Sequence, residues 1–302
     1  MLDYKLLQAL AAVVDEGGFE RAARVLHVTQ SAVSQRIKLL EEQAGQVLLV
    51  RSAPPRPTEA GIRLLKHFRQ VRRLEDDLGL EMNLDAGAGD ESARKTTISM
   101  GINADSLATW FLESVRGYLQ AEPVLLDLRA DDQEETHKLL RDGEVLGCIT
   151  SRSEPFQGCR SEYLGSMTYR LMGSSGFRDR WFPDGFTEEA VRRAPMLIFN
   201  RKDHMHDRLL EKAFGHVPPL NPFYAPSSGR FADFAEAGLA AAMLPGEQYG
   251  EYLAEGRLVD VAPGFDHTVR LHWHCWNIDS PVLAGFTRAL ARGARRLLQQ
   301  EP

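Results

Sequence analysis

Residues 19–51 read FERAARVLHVTQSAVSQRIKLLEEQAGQVLLVR, and 54–61 continue as PPRPTEAG. The first eight residues form a short helix in which Ala22 and Ala23 leave room for a close helix crossing. A tight turn at His27 and Val28 follows, Thr29 caps the next helix, and Gly45 stops it. At about 100° per residue, Val33, Ile37, Leu40 and Ala44 fall on one side of that helix, and Gln30, Ser31, Ser34, Gln35 and Lys38 on the other. One side packs and the other is free to read. Its chemistry suits a major groove: glutamine bonds base edges, small serines allow close approach, and lysine meets phosphate. Arg36 lies toward the buried edge, within reach of backbone phosphate.

A polar helix face is ordinarily just solvated surface, so its neighbours decide. Upstream, Asp3 caps a first helix with Leu6, Leu7, Leu10, Val13 and Val14 at helical spacing, ended by Gly17 and Gly18. Downstream, 47–50 read as a wing strand. Arg51 and the proline-stiffened turn carrying Arg56 follow, suited to phosphate or the minor groove. Three helices and a wing make a winged helix-turn-helix. Thr58 then caps a long helix over 59–82 whose approximate stripe (Ile62, Leu65, Phe68 or Arg69, Arg72, Leu74, Leu78) is too thin to bury itself on one small domain. Antiparallel pairing with a second copy would set two reading heads on one DNA face; packing on its own chain is the alternative. Residues 83–95 (NLDAGAGDESARK) read as a hinge.

Residues 19–51 with 54–61 resemble the signature of LysR-type regulators, more narrowly the ArgP/LysG branch, also called chromosome replication initiation inhibitor. Ser31, where many LysR-type proteins carry proline, is similar to that branch. The resemblance implies that Gln30, Ser31, Ser34, Gln35 and Lys38 take the DNA-facing positions, with Arg56 in the wing.

The charge is divided accordingly. The chain carries a net charge of -6, yet residues 1–74 hold 12 Lys or Arg against 7 Asp or Glu, and the remainder 24 against 35. A basic front and an acidic rear fit a phosphate-contacting module joined to a domain that DNA does not engage. With 302 residues there is room for two or three cores. The start lacks a signal-peptide pattern and no apolar run is long enough to span a bilayer. A cytoplasmic protein without membrane contact is expected. Cys148, Cys159 and Cys275 have no metal or redox spacing and read as unpaired thiols of a reducing compartment.

After the hinge, apolar runs at 96–102, 124–130, 145–150, 196–200 and 240–244 alternate with helical patterns, an α/β layout with largely parallel sheets. Ligands in such sheets bind beyond the carboxyl ends of strands, near helix N-termini. Asn103, Asp105 and Ser106 stand at one such end, Thr150 and Ser151 at a second, Ser227 and Ser228 at a third, and Asn200 and Asp203 follow the 196–200 run. Hydroxyls and amides there suit a carboxylate; Asp105, Asp203 and Asp131 suit a cation. Plain helix capping competes at each position.

The segments NADSLATW (103–110), RDGEVLG (141–147) and Trp273-His274 are also similar to the ArgP/LysG sensor. The resemblance implies a periplasmic-binding-protein-like effector domain of two subdomains, 95–162 with 268–302 and 163–267, holding lysine or arginine between them. The expected organisation is α/β overall: an all-α winged helix-turn-helix over 1–58, a dimerisation helix and hinge over 59–91, and an effector domain over 92–302. Gly229 and Arg230 stand where an acidic residue is expected, and Arg201 and Lys202 add positive charge near the cleft. A neutral or acidic amino acid therefore stays open.

His204 with His206, and His272 with His274, would each share a face on a strand and invite metal sensing, but nothing completes a ligand set. No Gly-x-Ser-x-Gly elbow, phosphate-cradling loop or His-Glu-x-x-His motif points to an enzyme. Glu188 and Glu189 read as a solvated helix start. A transport receptor would share the sensor but lack the DNA head. An architectural or replication-origin binder is the other DNA-binding reading. The favoured one is a regulator acting as a homodimer or homotetramer on operator DNA, with RNA polymerase as a further partner and no cofactor.

Overall fold

A computed structural model describes residues 2–82, 96–131 and 136–300. The expected hinge at 83–95 lies outside the described residues, as does the Asp131 side chain. The head is built from α1 (Tyr4–Asp15), α2 (Phe19–Val25), α3 (Gln30–Ala44) and a wing of β1 (Leu49–Val50) and β2 (Arg56–Pro57), which pair antiparallel. Leu7, Leu10, Val13, Val33, Ile37, Leu40 and Leu48 close one core, completed by Leu65 and Phe68 from the helix α4 (Glu59–Glu81). The N-terminal half of α4 thus packs on its own head. Its C-terminal half leaves Leu74 and Leu78 exposed, as is Met82 just past its end. Gly61 permits the junction: a Cβ there would stand 2.1 Å from the Leu48 carbonyl oxygen.

The second unit runs β3 (Thr96–Asn103), α5 (Ala104–Ala108), α6 (Phe111–Ala121), β4 (Val124–Asp131), α7 (Thr136–Arg141), β5 (Gly147–Thr150) and β6 (Cys159–Gly173). It continues through α8 (Ser175–Trp181), α9 (Glu188–Arg193), β7 (Pro195–Ile198), α10 (Met205–Phe214) and β8 (Asn221–Tyr224). A single 3-10 turn (Ser228–Arg230) leads into α11 (Phe231–Glu236), β9 (Ala241–Pro245), α12 (Gly246–Ala254), β10 (Val259–Asp260), β11 (Asp266–Trp276) and α13 (Pro281–Leu297). The strands follow the order β4-β3-β5-β11-β6-β9-β7-β8, with β10 beside β6.

Each end of this sheet is parallel, β3 lying between β4 and β5, and β7 between β8 and β9. The middle corrects the expectation of largely parallel sheets. β6 and β11 pair antiparallel along their lengths, and each also pairs antiparallel with one end group, β11 with β5 and β6 with β9. These two strands therefore join a first lobe to a second. Their register shifts between Leu271 and His272, close to Gly165, whose φ of 136° and tight approach to Leu298 leave no room for a side chain. Alternating burial is weak along β6 because it passes from one packing environment to another, which is why no period-2 signal announced it.

Candidate DNA-reading face and effector cleft

Thr29 caps α3 by accepting from the Ala32 amide at 3.1 Å, and Gly45 ends it in the left-handed region at φ 67°. The turn before it places His27 at φ 53°. Val33, Ile37 and Leu40 are buried against α1 and α2, while Gln30, Ser31, Gln35 and Lys38 are exposed and Ser34 and Arg36 half-buried. Polar side chains therefore occupy the outer face of α3, as its periodicity predicts. Both Leu48 and Leu49 donate their amides to Glu41 Oε1, at 2.9 and 3.3 Å, so α3 holds the wing strand directly. Arg56 is exposed in the wing, and the Arg51 guanidinium lies 5.9 Å from the centre of the Phe19 ring.

In the second unit, a cleft of about 790 Å³, mouth included, opens beyond the ends of β3 and β7 and against the first turn of α10. Asp105 stands in its wall, accepting from the Tyr169 hydroxyl at 2.8 Å and the Ser228 hydroxyl at 2.5 Å. Burial pushes its carboxyl above the ordinary range, against the pull of those two hydrogen bonds, and Asp203 adds to the rise. No lysine or arginine among the described residues forms an ion pair with it. Asn103 and Ser151 line the same space with Asp203 and Ser228, so the cleft gathers one or more residues from each of the four predicted strand ends.

The others have local employment. Ser106 accepts from the Trp110 indole at 3.1 Å, and Thr150 from the Arg152 amide at 3.3 Å. Asn200 Oδ1 accepts from the Lys202 amide at 2.7 Å. Ser227 precedes the 3-10 turn and makes no side-chain cap bond. Asp203 lines the cleft, but its two oxygens accept from the amides of Phe199 and Met205. Lys202 and Arg208 border the cleft, whereas Arg201 lies over the Tyr224 ring and Arg230 pairs with Asp233. Tyr169 and His206 line it unforeseen. Tyr169 belongs to the unread crossing strand, and His206 sits in a helix rather than on the strand expected for the His204/His206 pair. Among the described residues no three His, Cys, Asp or Glu side chains come together as a metal set.

Residues 4–62 match the family model for the bacterial regulatory helix-turn-helix protein, lysR family, and residues 92–295 the LysR substrate binding domain. The chain belongs to the LysR family. It is 43% identical to the HTH-type transcriptional regulator ArgP of Pseudomonas fluorescens over 298 residues, 99% of either chain. Crystalline ArgP from Mycobacterium tuberculosis is 42% identical and superposes with a TM-score of 0.87, covering all of both chains. Full-length LysG from Corynebacterium glutamicum with bound effector Arg gives 0.79 at 30% identity, over 99% of this chain and all of that one. This LysR-family chain is accordingly a DNA-binding transcription regulator and not an enzyme. Its head and sensor are the two units already described, and no helix among the described residues is long and apolar enough to cross a membrane.

Proposed function

We propose that this chain regulates transcription from a specific operator in response to a basic amino acid, lysine or arginine, bound between the two lobes of its sensor. The observation that carries this reading is Asp105: a buried carboxylate in the cleft wall, held in place by two hydroxyls and lacking a cationic partner among the described residues. Burying an uncompensated charge is costly, so such a group is accounted for when a ligand brings the opposite charge. LysG, with its bound arginine, supports the choice of class. Lys202 and Arg208 at the cleft border do not oppose it, because an amino acid also carries a carboxylate.

On the DNA side, Gln30, Ser31, Ser34 and Gln35 read base edges, Arg36 and Lys38 meet phosphates, and Arg51 and Arg56 serve the wing. Two copies paired along the exposed stripe of α4 present two such heads to a two-fold symmetric site, in the cytoplasm where the chromosome lies. Effector binding changes the relation of the lobes and through it the spacing of heads and the DNA bend.

Calorimetry with arginine, lysine and glutamate tests the sensor: micromolar glutamate binding without lysine or arginine binding would overturn the assignment. Footprinting over the chain's own gene and its neighbours tests the head. Occupancy unchanged by Ser34→Glu with Gln35→Glu in a folded protein would exclude α3 as the reader, and footprints identical with and without effector would exclude the coupling.

A further inference from the structure

Two side chains in the cleft wall are buried, polar and without a partner among the described residues. Asn103 is 1% exposed and neither its Oδ1 nor its Nδ2 is hydrogen-bonded; His206 is 4% exposed and both ring nitrogens are unpaired. Buried polar groups are normally satisfied, so both await something that the other described residues do not provide. Asn103 is also the N-cap of α5, where asparagine ordinarily bonds a helix amide, yet it makes no such bond. Its carboxamide is left to the cleft.

His206 lies in the first turn of α10, whose positive dipole end borders the cleft. The N-cap residue His204 makes no side-chain cap bond to that turn and is instead tied to Asp207, 2.8 Å away. Burial lowers the tendency of His206 to protonate, leaving one N–H to donate and one bare nitrogen. Lys202 and Arg208 stand on the same stretch, while the Asp203 carboxylate is consumed by backbone amides. The Asp203 and Asp207 carboxylates also face His206, so the pull on an anion here comes from the unpaired imidazole and carboxamide and the helix dipole; Asp105 offers a carboxylate.

We propose that the first turn of α10, with His206 and Asn103, receives the α-carboxylate of the effector while Asp105 receives a cationic group. The inference rests on the amino-acid reading above and adds the ligand's direction. It makes His206 and Asn103 the residues that distinguish an amino acid from a diamine or an amino-acid amide.

The test compares arginine with argininamide, which keeps both cationic groups but loses the anion, on wild type, His206→Gln and Asn103→Ala, with thermal melts as the folding control. Wild type should favour arginine at least tenfold. Each substitution should cut that preference to under threefold by weakening arginine alone, and Asp105→Asn should weaken both ligands by a similar factor. Should one variant fail to fold, the other and the wild-type preference still decide. A preference that survives in a folded variant, or is missing from wild type, overturns the carboxylate assignment alone. If wild type binds neither compound nor lysine, the basic-amino-acid reading falls first and this assignment with it.

Discussion

The Ser228 hydroxyl donates to Asp105 Oδ1 across 2.5 Å, joining the 3-10 turn of one lobe to the start of α5 in the other. Tyr169, on the crossing strand β6, donates to the second oxygen of the same carboxylate. One buried acid thus gathers three parts of the sensor. The arrangement favours binding over stability, since burial raises the free energy of the ionised acid in the folded chain. Asp105→Asn should therefore weaken arginine and lysine binding without lowering Tm at neutral pH. The amide oxygen still accepts one hydroxyl, and Ser228 can turn to accept from the new NH₂. Calorimetry and a melting curve on one preparation check this. A marked loss of Tm would mean that the carboxylate is structural.

The same acid makes effector binding depend on pH. Its folded-state pKa is raised, so as pH falls through that value Asp105 takes up a proton before an unburied aspartate would. A cationic ligand needs the ionised form, and affinity should fall on the acid side, approaching tenfold per pH unit for one linked proton. Titration of arginine affinity from about pH 8 to about pH 4, in two buffers of different ionisation enthalpy, reads both the slope and the proton released on binding. A flat profile down to the ordinary aspartate range would separate Asp105 from the ligand.

Glu41 is the mechanical link inside the head. Its Oε1 accepts from the amides of Leu48 and Leu49 just where the chain leaves α3 for the wing. Glu41→Ala leaves two backbone donors to find water in a half-buried place. It should cost the head about 2 kcal/mol, the range for hydrogen bonds to a charged group. Operator affinity should fall with it, because Arg56 is carried by the freed wing. Glu41→Gln, which keeps an acceptor, should recover most of both. Urea unfolding of the chain and an operator titration at fixed salt measure the two effects separately.

How much of this was legible depended on how local the cause was. Thr29, Gly45 and the spacing of Val33, Ile37 and Leu40 act within one helix, so α3 and its outer face could be read in advance. Asp105 and Ser228 were legible as strand-end residues, although not as partners, because 123 positions separate them. Tyr169 was not, since β6 owes its conformation to β11 and β9 rather than to an alternating pattern of its own. His206 was seen and misplaced: alternate histidines suit a strand, but Met205–Phe214 is a helix ended by Gly215 in the left-handed region. α4 was half legible, with Leu65 and Phe68 claimed by the head's own core and Leu74 and Leu78 left exposed.

His274 gives the stability of the sensor an acid limit of its own. It is fully buried on β11, opposite Cys148 of β5 and Ser161 of β6, and burial pushes its pKa down from 6.5 to about 4, with His272 adding to the fall. In the unfolded chain it titrates near its ordinary value. Between those two pH values the unfolded state therefore binds a proton that the folded state refuses, and stability drops as pH falls. The stabilisation is complete above about pH 6.5 and lost progressively to about pH 4, in total about 3 kcal/mol for this one group. Substitution at so buried a position lowers stability at every pH, so the diagnostic quantity is the slope and not the midpoint. His274→Gln should remove close to one proton from the pH dependence of unfolding free energy in that window, measured by urea denaturation at several pH values. An unchanged slope would assign the acid limit to the other buried histidines, His206 foremost.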